Sequence, residues 1–334
     1  MKPTVAFAMP AETFSRVFTR EHIDRVRAAG RLLSETPLES FDELADRRTL
    51  AQAEILVTGW GTPVLDSTVL DAAPRLRAIV HAAGSVKHHV TRACWERGVA
   101  VTSAASANAL PVAEYTVAMI LLAGKNVLQV AHALREKRSS LDVNSLFPRM
   151  GNYRKRIGII GASKIGRDVI RLLEPYDLQV VVADPYLNSA DAARLGVDLV
   201  ELPALLSTCD IVSLHAPSLP ETRHLLDGPA LDLLRPGAAL INTARGELID
   251  QDALVERVGR GDLFVILDVT TPWTLPAEHP FYDDPNVLLT PHIAGSLGVE
   301  LARLAESATD EVERIVSGLP PAHPVDLATL SITA

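Results

Sequence analysis

Short apolar runs alternate with amphipathic stretches along most of the chain. In the first hundred residues, runs of strand length occur at Val5–Met9, Glu54–Thr58 (EILVT), Ala78–Ala82 (AIVHA) and Val99–Thr102. Between them, Arg20–Ala29, Phe41–Ala51 and Val90–Arg97 carry apolar residues at helical spacing. Runs that are apolar throughout predict strands buried on both faces. Strands that alternate with helices predict a parallel sheet covered on both sides.

The pattern changes at Asn108. Val112, Tyr115, Met119 and Leu122 recur at helical spacing, which predicts one long helix from Asn108 to about Arg135, with Pro111 in its first turn. A second alternating series starts at Arg156. Its predicted strands are Ile157–Ile160, Val180–Ala183, Ile211–His215, Ala239–Asn242, Phe264–Asp268 and Val287–Leu289. Its predicted helices are Lys164–Leu173, Leu202–Ser207, Gly228–Leu234 and Gln251–Val258. Leu301, Leu304, Ala305, Ala308, Val312, Ile315 and Val316 mark a last amphipathic helix, and the tail from Pro320 is left unassigned. Two alternating series predict two α/β domains.

A chain of 334 residues, 48% hydrophobic and 22% charged, has the length for about two domains and the apolar content to fill both cores. The net charge of -9, with no Lys/Arg block, argues against nucleic acid or an anionic membrane as a partner. Cys94 and Cys209 stand far apart and in no metal spacing, so no disulfide framework is expected and a reducing, cytoplasmic setting is. The N-terminal apolar run is soon followed by charges and does not read as a signal peptide. The most apolar helical stretch, Thr116–Gly124, reads as too short to span a bilayer.

The strongest local signal is RIGIIGASKIGRDVI, Arg156–Ile170. An apolar strand ends at Gly161, and a helix opens near Lys164 and Ile165. Gly161 permits a tight turn, Gly166 lets the helix pack close to the sheet, and the helix N-terminus offers free N–H groups to a pyrophosphate. Asp184 ends the next strand, where a carboxylate accepts hydrogen bonds from ribose hydroxyls and repels a 2′-phosphate. That points to NAD rather than NADP. Ser163 stands at the middle glycine position of G-x-G-x-x-G, which weakens the fingerprint without abolishing it. Arg245 ends another apolar strand, at the edge where such sheets bind ligands.

Five further segments carry a specific likeness: HAAGSV (His81–Val86), ANALPVAEYT (Ala107–Thr116), HAPSLPETRHLLD (His215–Asp227), LINTARGELID (Leu240–Asp250) and LLTPHIAGS (Leu288–Ser296). In order, spacing and wording they resemble the D-isomer-specific 2-hydroxyacid dehydrogenases of the phosphoglycerate dehydrogenase-like kind. The resemblance implies two Rossmann-like, doubly wound parallel-sheet domains with an active-site cleft between them. A discontinuous substrate-binding domain would comprise residues 1–105 and 299–334, and an NAD-binding domain residues 106–298. Family members are usually homodimers that meet through the cofactor domains. The resemblance also implies roles. Arg245 would hold the substrate carboxylate and polarise the reacting carbonyl, for which a guanidinium fork is suited. His292 would be the acid/base, and imidazole titrates in the right range. Ala83, Gly84 and Ser85 would form a backbone nest for the carboxylate. Asp268 would contact the nicotinamide carboxamide, Thr243 and Ala244 would line the nicotinamide, and Pro217 the adenine side.

One position departs from the family pattern. Most members carry a glutamate five residues after the position of Asp268, where it orients the histidine and raises its pKa. Here that position is Trp273. An indole is a donor only and cannot stabilise imidazolium through charge. The chain could work with His292 unassisted, recruit another acid such as Glu278 from a surface loop, or persist as a weak or inactive NAD(H)-binding sensor or co-regulator. Retention of Arg245 and His292 favours an active enzyme. Trp273 and Trp60 favour a bulky or apolar 2-oxo acid. Lys87, His88 and His89 follow the nest and offer a second anion contact, although a solvated helix start explains them as well. Adjacent histidines are badly spaced for a shared metal, and none is expected.

Overall fold

The computed structural model describes residues 2–330. The apolar runs become strands, and every pairing between them is parallel. Strands β1 (Thr4–Ala8), β2 (Arg31–Leu32), β3 (Ile55–Thr58), β4 (Ala78–His81) and β5 (Ala100–Ser103) form one sheet in the order β2-β1-β3-β4-β5. Strands β6 (Arg156–Ile160), β7 (Gln179–Ala183), β8 (Asp198–Leu199), β9 (Ile211–Leu214), β10 (Ala238–Asn242), β11 (Leu263–Leu267) and β12 (Val287–Leu289) form a second, in the order β12-β11-β10-β9-β6-β7-β8. The chain divides into two compact units, Met1–Ala109 with Ser296–Ala334, and Leu110–Gly295.

Each sheet is buried on both faces, which is why its strands read as unbroken apolar runs. Along β11, Leu263, Val265 and Leu267 enter one core while Phe264 and Ile266 enter the other. Along β1, Val5 and Phe7 point one way and Ala6 and Ala8 the other. The C-terminal helix Leu301–Val316 covers the five-stranded sheet with Ala305, Ala308 and Val312. It is also clamped to the helix Arg20–Ala29 by Arg25, which bonds Glu313 and Asp310.

The single long helix expected from Asn108 to Arg135 is two helices. The first is Ala105–Gly124, with Pro111 inside it rather than in its first turn, and the second is Val127–Lys137. Asn126 breaks them apart at φ 48°, in the left-handed region that asparagine tolerates better than most residues. At 20 residues the first helix is long and apolar enough to cross a membrane, unlike the shorter stretch read from sequence. Half of its apolar window is buried, and Ala113, Val117, Ile120 and Ala123 pack into the core of the seven-stranded sheet, so its apolarity has a partner in the fold.

The unassigned tail is tied down. Val325 N–H donates to Val101 O, and Trp95 Nε1 donates to Val325 O. Glu311, buried on the last long helix, accepts from the N–H groups of Ala322 and His323 at 2.8 and 2.7 Å. Substituting Glu311→Ala leaves those donors without their acceptor. The expected cost is about 1–3 kcal/mol in a urea titration, with faster proteolytic cutting after Leu319.

Candidate active site

In parallel sheets, ligands gather at the carboxyl ends of strands where chain order reverses. In the seven-stranded sheet that reversal lies at β6, which is flanked by β7 and β9. The turn after β6 fits a dinucleotide closely. Gly161 sits at φ 95°, and a Cβ there would lie 2.7 Å from Ala216 N, so only glycine lets this turn rest on the chain leaving β9. A Cβ on Gly166 would lie 2.1 Å from Gly161 O, which seats the helix directly on the turn. Ser163 caps the helix Lys164–Leu173: its Oγ accepts from Gly166 N–H at 3.4 Å. The preceding helical N–H groups, of Lys164 and Ile165, stay available to an anion, and no acidic residue stands in the first turn. Asp184 follows β7. Its carboxylate accepts from Ala162 N–H at 2.6 Å and Tyr186 N–H at 2.8 Å, which fixes it beside the turn with acceptor capacity left for hydroxyls. Pro217 follows β9, and its carbonyl accepts from Thr222 Oγ1 at 2.6 Å.

The ends of β10, β11 and β12 bring the other candidates together. Asn242 ends β10 and shapes the turn after it: Oδ1 accepts from Ala244 N–H at 3.0 Å, and Nδ2 donates to Arg245 O at 2.8 Å. Buried Thr243 meets Thr116 through their hydroxyls at 3.0 Å. Arg245 therefore leaves a rigid turn with its side chain exposed. A Cβ on the next residue, Gly246, would lie 2.3 Å from the Thr270 backbone, so the loops after β10 and β11 stack in contact.

Asp268 is 2% exposed, and its carboxylate accepts from Thr290 Oγ1 at 2.6 Å, Ile293 N–H at 2.8 Å and Ala294 N–H at 2.9 Å. Its carbonyl accepts from His292 N–H at 3.0 Å. The side chain implied for the nicotinamide is thus the anchor of the loop that carries His292. That loop holds His292 at φ 57°, a conformation costing about 1–3 kcal/mol outside glycine. The His292 ring lies against Trp273, with centroids 4.4 Å apart and planes at 20°. His292 Nδ1 is sealed from solvent without a hydrogen-bond partner among the described residues. Burial lowers the pKa of His292, Asp268 partly offsets this, and the Arg245 charge lowers it further. Glu278 is exposed and makes no contact with His292 among the described residues.

In the other unit, Ala83, Gly84 and Ser85 follow β4. A Cβ at Gly84 would meet only the Asn108 side chain, at 3.7 Å, so room alone does not demand glycine there. Sequence reasoning passed over the group that shapes this loop. His81 pairs with Thr58 Oγ1 at 3.0 Å through Nδ1 and bonds the Ser85 backbone. His89 Nε2 meets the same hydroxyl at 3.2 Å, and the two rings stand 4.4 Å apart. His89 is 4% exposed, so it cannot serve a second anion beside Lys87 and His88. Trp60 is 44% exposed, in the loop after β3.

Burial pushes His81 down to about 3, His89 to about 4 and His215 to about 3. Their ordinary value is about 6.5, so the unfolded chain binds more protons between these limits. Stability from keeping them neutral is therefore complete above about pH 6.5 and is lost as pH falls toward their folded values. The unfolding free energy from urea titrations at pH 7 to pH 4 should fall steadily, at up to about 1.4 kcal/mol per group per pH unit, and the midpoints with it. His89→Gln should reduce that slope.

The model of the family "D-isomer specific 2-hydroxyacid dehydrogenase, NAD binding domain" matches residues 117–294. A D-3-phosphoglycerate dehydrogenase of Mycobacterium bovis is 33% identical over 273 residues, covering 80% of this chain and 50% of that protein. The chain thus spans about half the length of that relative. A glyoxylate reductase of Thermofilum pendens is 31% identical over 267 residues, covering 78% of each chain. The crystal structure of the TT0316 protein from Thermus thermophilus superposes with a TM-score of 0.75 at 30% identity, covering 97% of this chain and 100% of that one. The chain belongs to the D-isomer-specific 2-hydroxyacid dehydrogenase family, with the seven-stranded unit as its NAD-binding domain.

Proposed function

We propose that the protein is an NAD-dependent oxidoreductase that interconverts 2-hydroxy and 2-oxo acids. The observation that carries this reading is that Arg245 follows β10 and His292 follows β12, on the carboxyl edge of one parallel sheet. That edge belongs to the same sheet as the phosphate turn. NADH held at the phosphate turn would supply the hydride for the carbonyl carbon. The Arg245 guanidinium pairs with the substrate carboxylate and polarises the carbonyl. The backbone N–H groups of Ala83, Gly84 and Ser85 form a nest suited to a carboxylate. His292 Nε2 gives a proton to the carbonyl oxygen in reduction and accepts the hydroxyl proton in oxidation. Gly161, Ser163, Lys164 and Ile165 hold the pyrophosphate, Asp184 the ribose, and Pro217 the adenine side. Thr243, Ala244 and His292 border the nicotinamide, and Asp268 acts there through the loop it anchors.

A homodimer fits the surface. Among the described residues, the helix Val127–Lys137 has none buried; Leu128 packs against the core of the seven-stranded sheet, while Val127 and Leu134 stay exposed. Leu146 and Tyr153, just beyond it, are also exposed. Such a face asks for a partner, and a second copy of this chain would supply one. Buried, unpaired Cys94 and Cys209 suit a cytoplasmic setting. Light scattering should give twice the chain mass, and Leu134→Glu should give the monomer.

NADH oxidation with a panel of small, aromatic, dicarboxylate and phosphorylated 2-oxo acids tests the activity. Arg245→Ala and His292→Ala should each lower kcat/KM at least about 100-fold. The sign of the pH dependence follows from the depressed His292. Reduction needs imidazolium and should weaken as pH rises through a value below about 6.5. Oxidation needs the neutral ring and should persist through neutral pH. Tight NADH binding with no turnover across the panel would replace the enzyme with an NAD(H)-binding sensor.

A further inference from the structure

We propose that Trp273 is the positioning residue of His292, holding the reactive imidazole by a stacked indole face where no described side chain hydrogen-bonds the ring. The proposal rests on the function proposed above, because it concerns how that histidine is kept ready. Four observations carry it. The rings lie 4.4 Å apart at 20°, a near-parallel contact rather than a passing one. Nδ1 is sealed without a partner among the described residues, so no hydrogen bond from that nitrogen fixes the ring plane. Asp268 and Thr290 hold the His292 backbone N–H, which places Cα but leaves the ring to its side-chain torsions. The loop that carries the indole is itself held: Thr270 Oγ1 donates to the backbone carbonyls of Pro272 at 2.8 Å and Trp273 at 3.2 Å, and Leu275 plugs the loop into the core.

An indole face does two things for this ring. It confines the imidazole plane, which lowers the entropy lost when Nε2 meets a substrate oxygen. It also attracts imidazolium through the aromatic quadrupole, although it carries no charge. The charges acting on the ring are then Asp268, which favours the protonated form, and Arg245, which opposes it. Trp273 is 70% exposed, so its replacement leaves the core intact and a variant reports on the ring rather than on folding.

The test is a proton NMR titration of the His292 ring, assigned by its loss in His292→Gln, alongside pH–rate profiles. In the unaltered protein the His292 ring resonance should lie upfield, shifted by the indole ring current. Trp273→Leu should abolish that displacement and lower the His292 pKa by about half a unit or more. In steady state, Trp273→Leu should reduce kcat about 10-fold or more while KM for the oxo acid changes less than about 3-fold. Trp273→Phe, which keeps a π face, should recover most of the rate. An undisplaced ring resonance, or a Trp273→Leu variant with unchanged kcat and pH limb, would overturn the proposal. A displaced resonance and a shifted pKa in a protein that turns over no 2-oxo acid would sustain the stack and sink the proposed activity, so the two claims fail separately.

Discussion

A single buried carboxylate organises the candidate site. Asp268 leaves β11 with 2% exposure, and its oxygens collect three donors from the segment after β12. Its own N–H donates to Asn242 O at the end of β10, and its carbonyl receives His292 N–H. One residue therefore ties three strand ends together. A charge this far from water is tolerated only when such bonds replace its hydration, so the loop and the carboxylate each require the other. The left-handed backbone of His292 follows from the same contacts, since the surrounding bonds over-determine a conformation the residue alone would avoid.

Close backbone approach then stacks the loops on that anchor. Gly161 admits the chain leaving β9, and Gly246 admits Thr270. Asn242 uses both ends of its amide to hold the turn before Arg245. A parallel sheet delivers every such turn to one edge, because each strand runs the same way and each crossover helix returns on a face. Chemistry collects at that edge, where strand N–H and C=O groups end and side chains must complete the hydrogen bonding.

Much of this was legible in the letters. Arg20–Ala29, Lys164–Leu173 and Gln251–Val258 are helices over the residues their periodicity marks, since each presents a clean apolar stripe to a sheet. The central strands were legible because burial on both faces leaves no polar alternation. The edge strands β2 and β8 were not, being two residues each with no fully buried side chain. The helix Ala11–Val17 was missed for a similar reason, with only Val17 buried. The break at Asn126 carried its own sign, Gly124-Lys125-Asn126, which the apolar spacing on either side outweighed. Motif wording located Arg245 and His292. It did not reveal the work of Asp268, the histidine pair at Thr58 or the stack on Trp273, because those are contacts between residues that sequence order keeps apart.

The histidines show how differently the fold can surround one type of side chain. His81 has one ring nitrogen on Thr58 and bonds the Ser85 backbone, and burial drives its pKa to about 3. It stays neutral near neutral pH and serves as a rigid strut for the loop it touches. His292 has a comparable ring in a half-buried place, with Nδ1 sealed, Nε2 left open and one face covered by indole. Its pKa moves in the same direction through burial, with Asp268 opposing the shift and Arg245 adding to it. The difference lies in what each ring leaves unpaired. A histidine whose nitrogens are satisfied holds structure, and one whose open nitrogen points at no protein group is ready to bond something else.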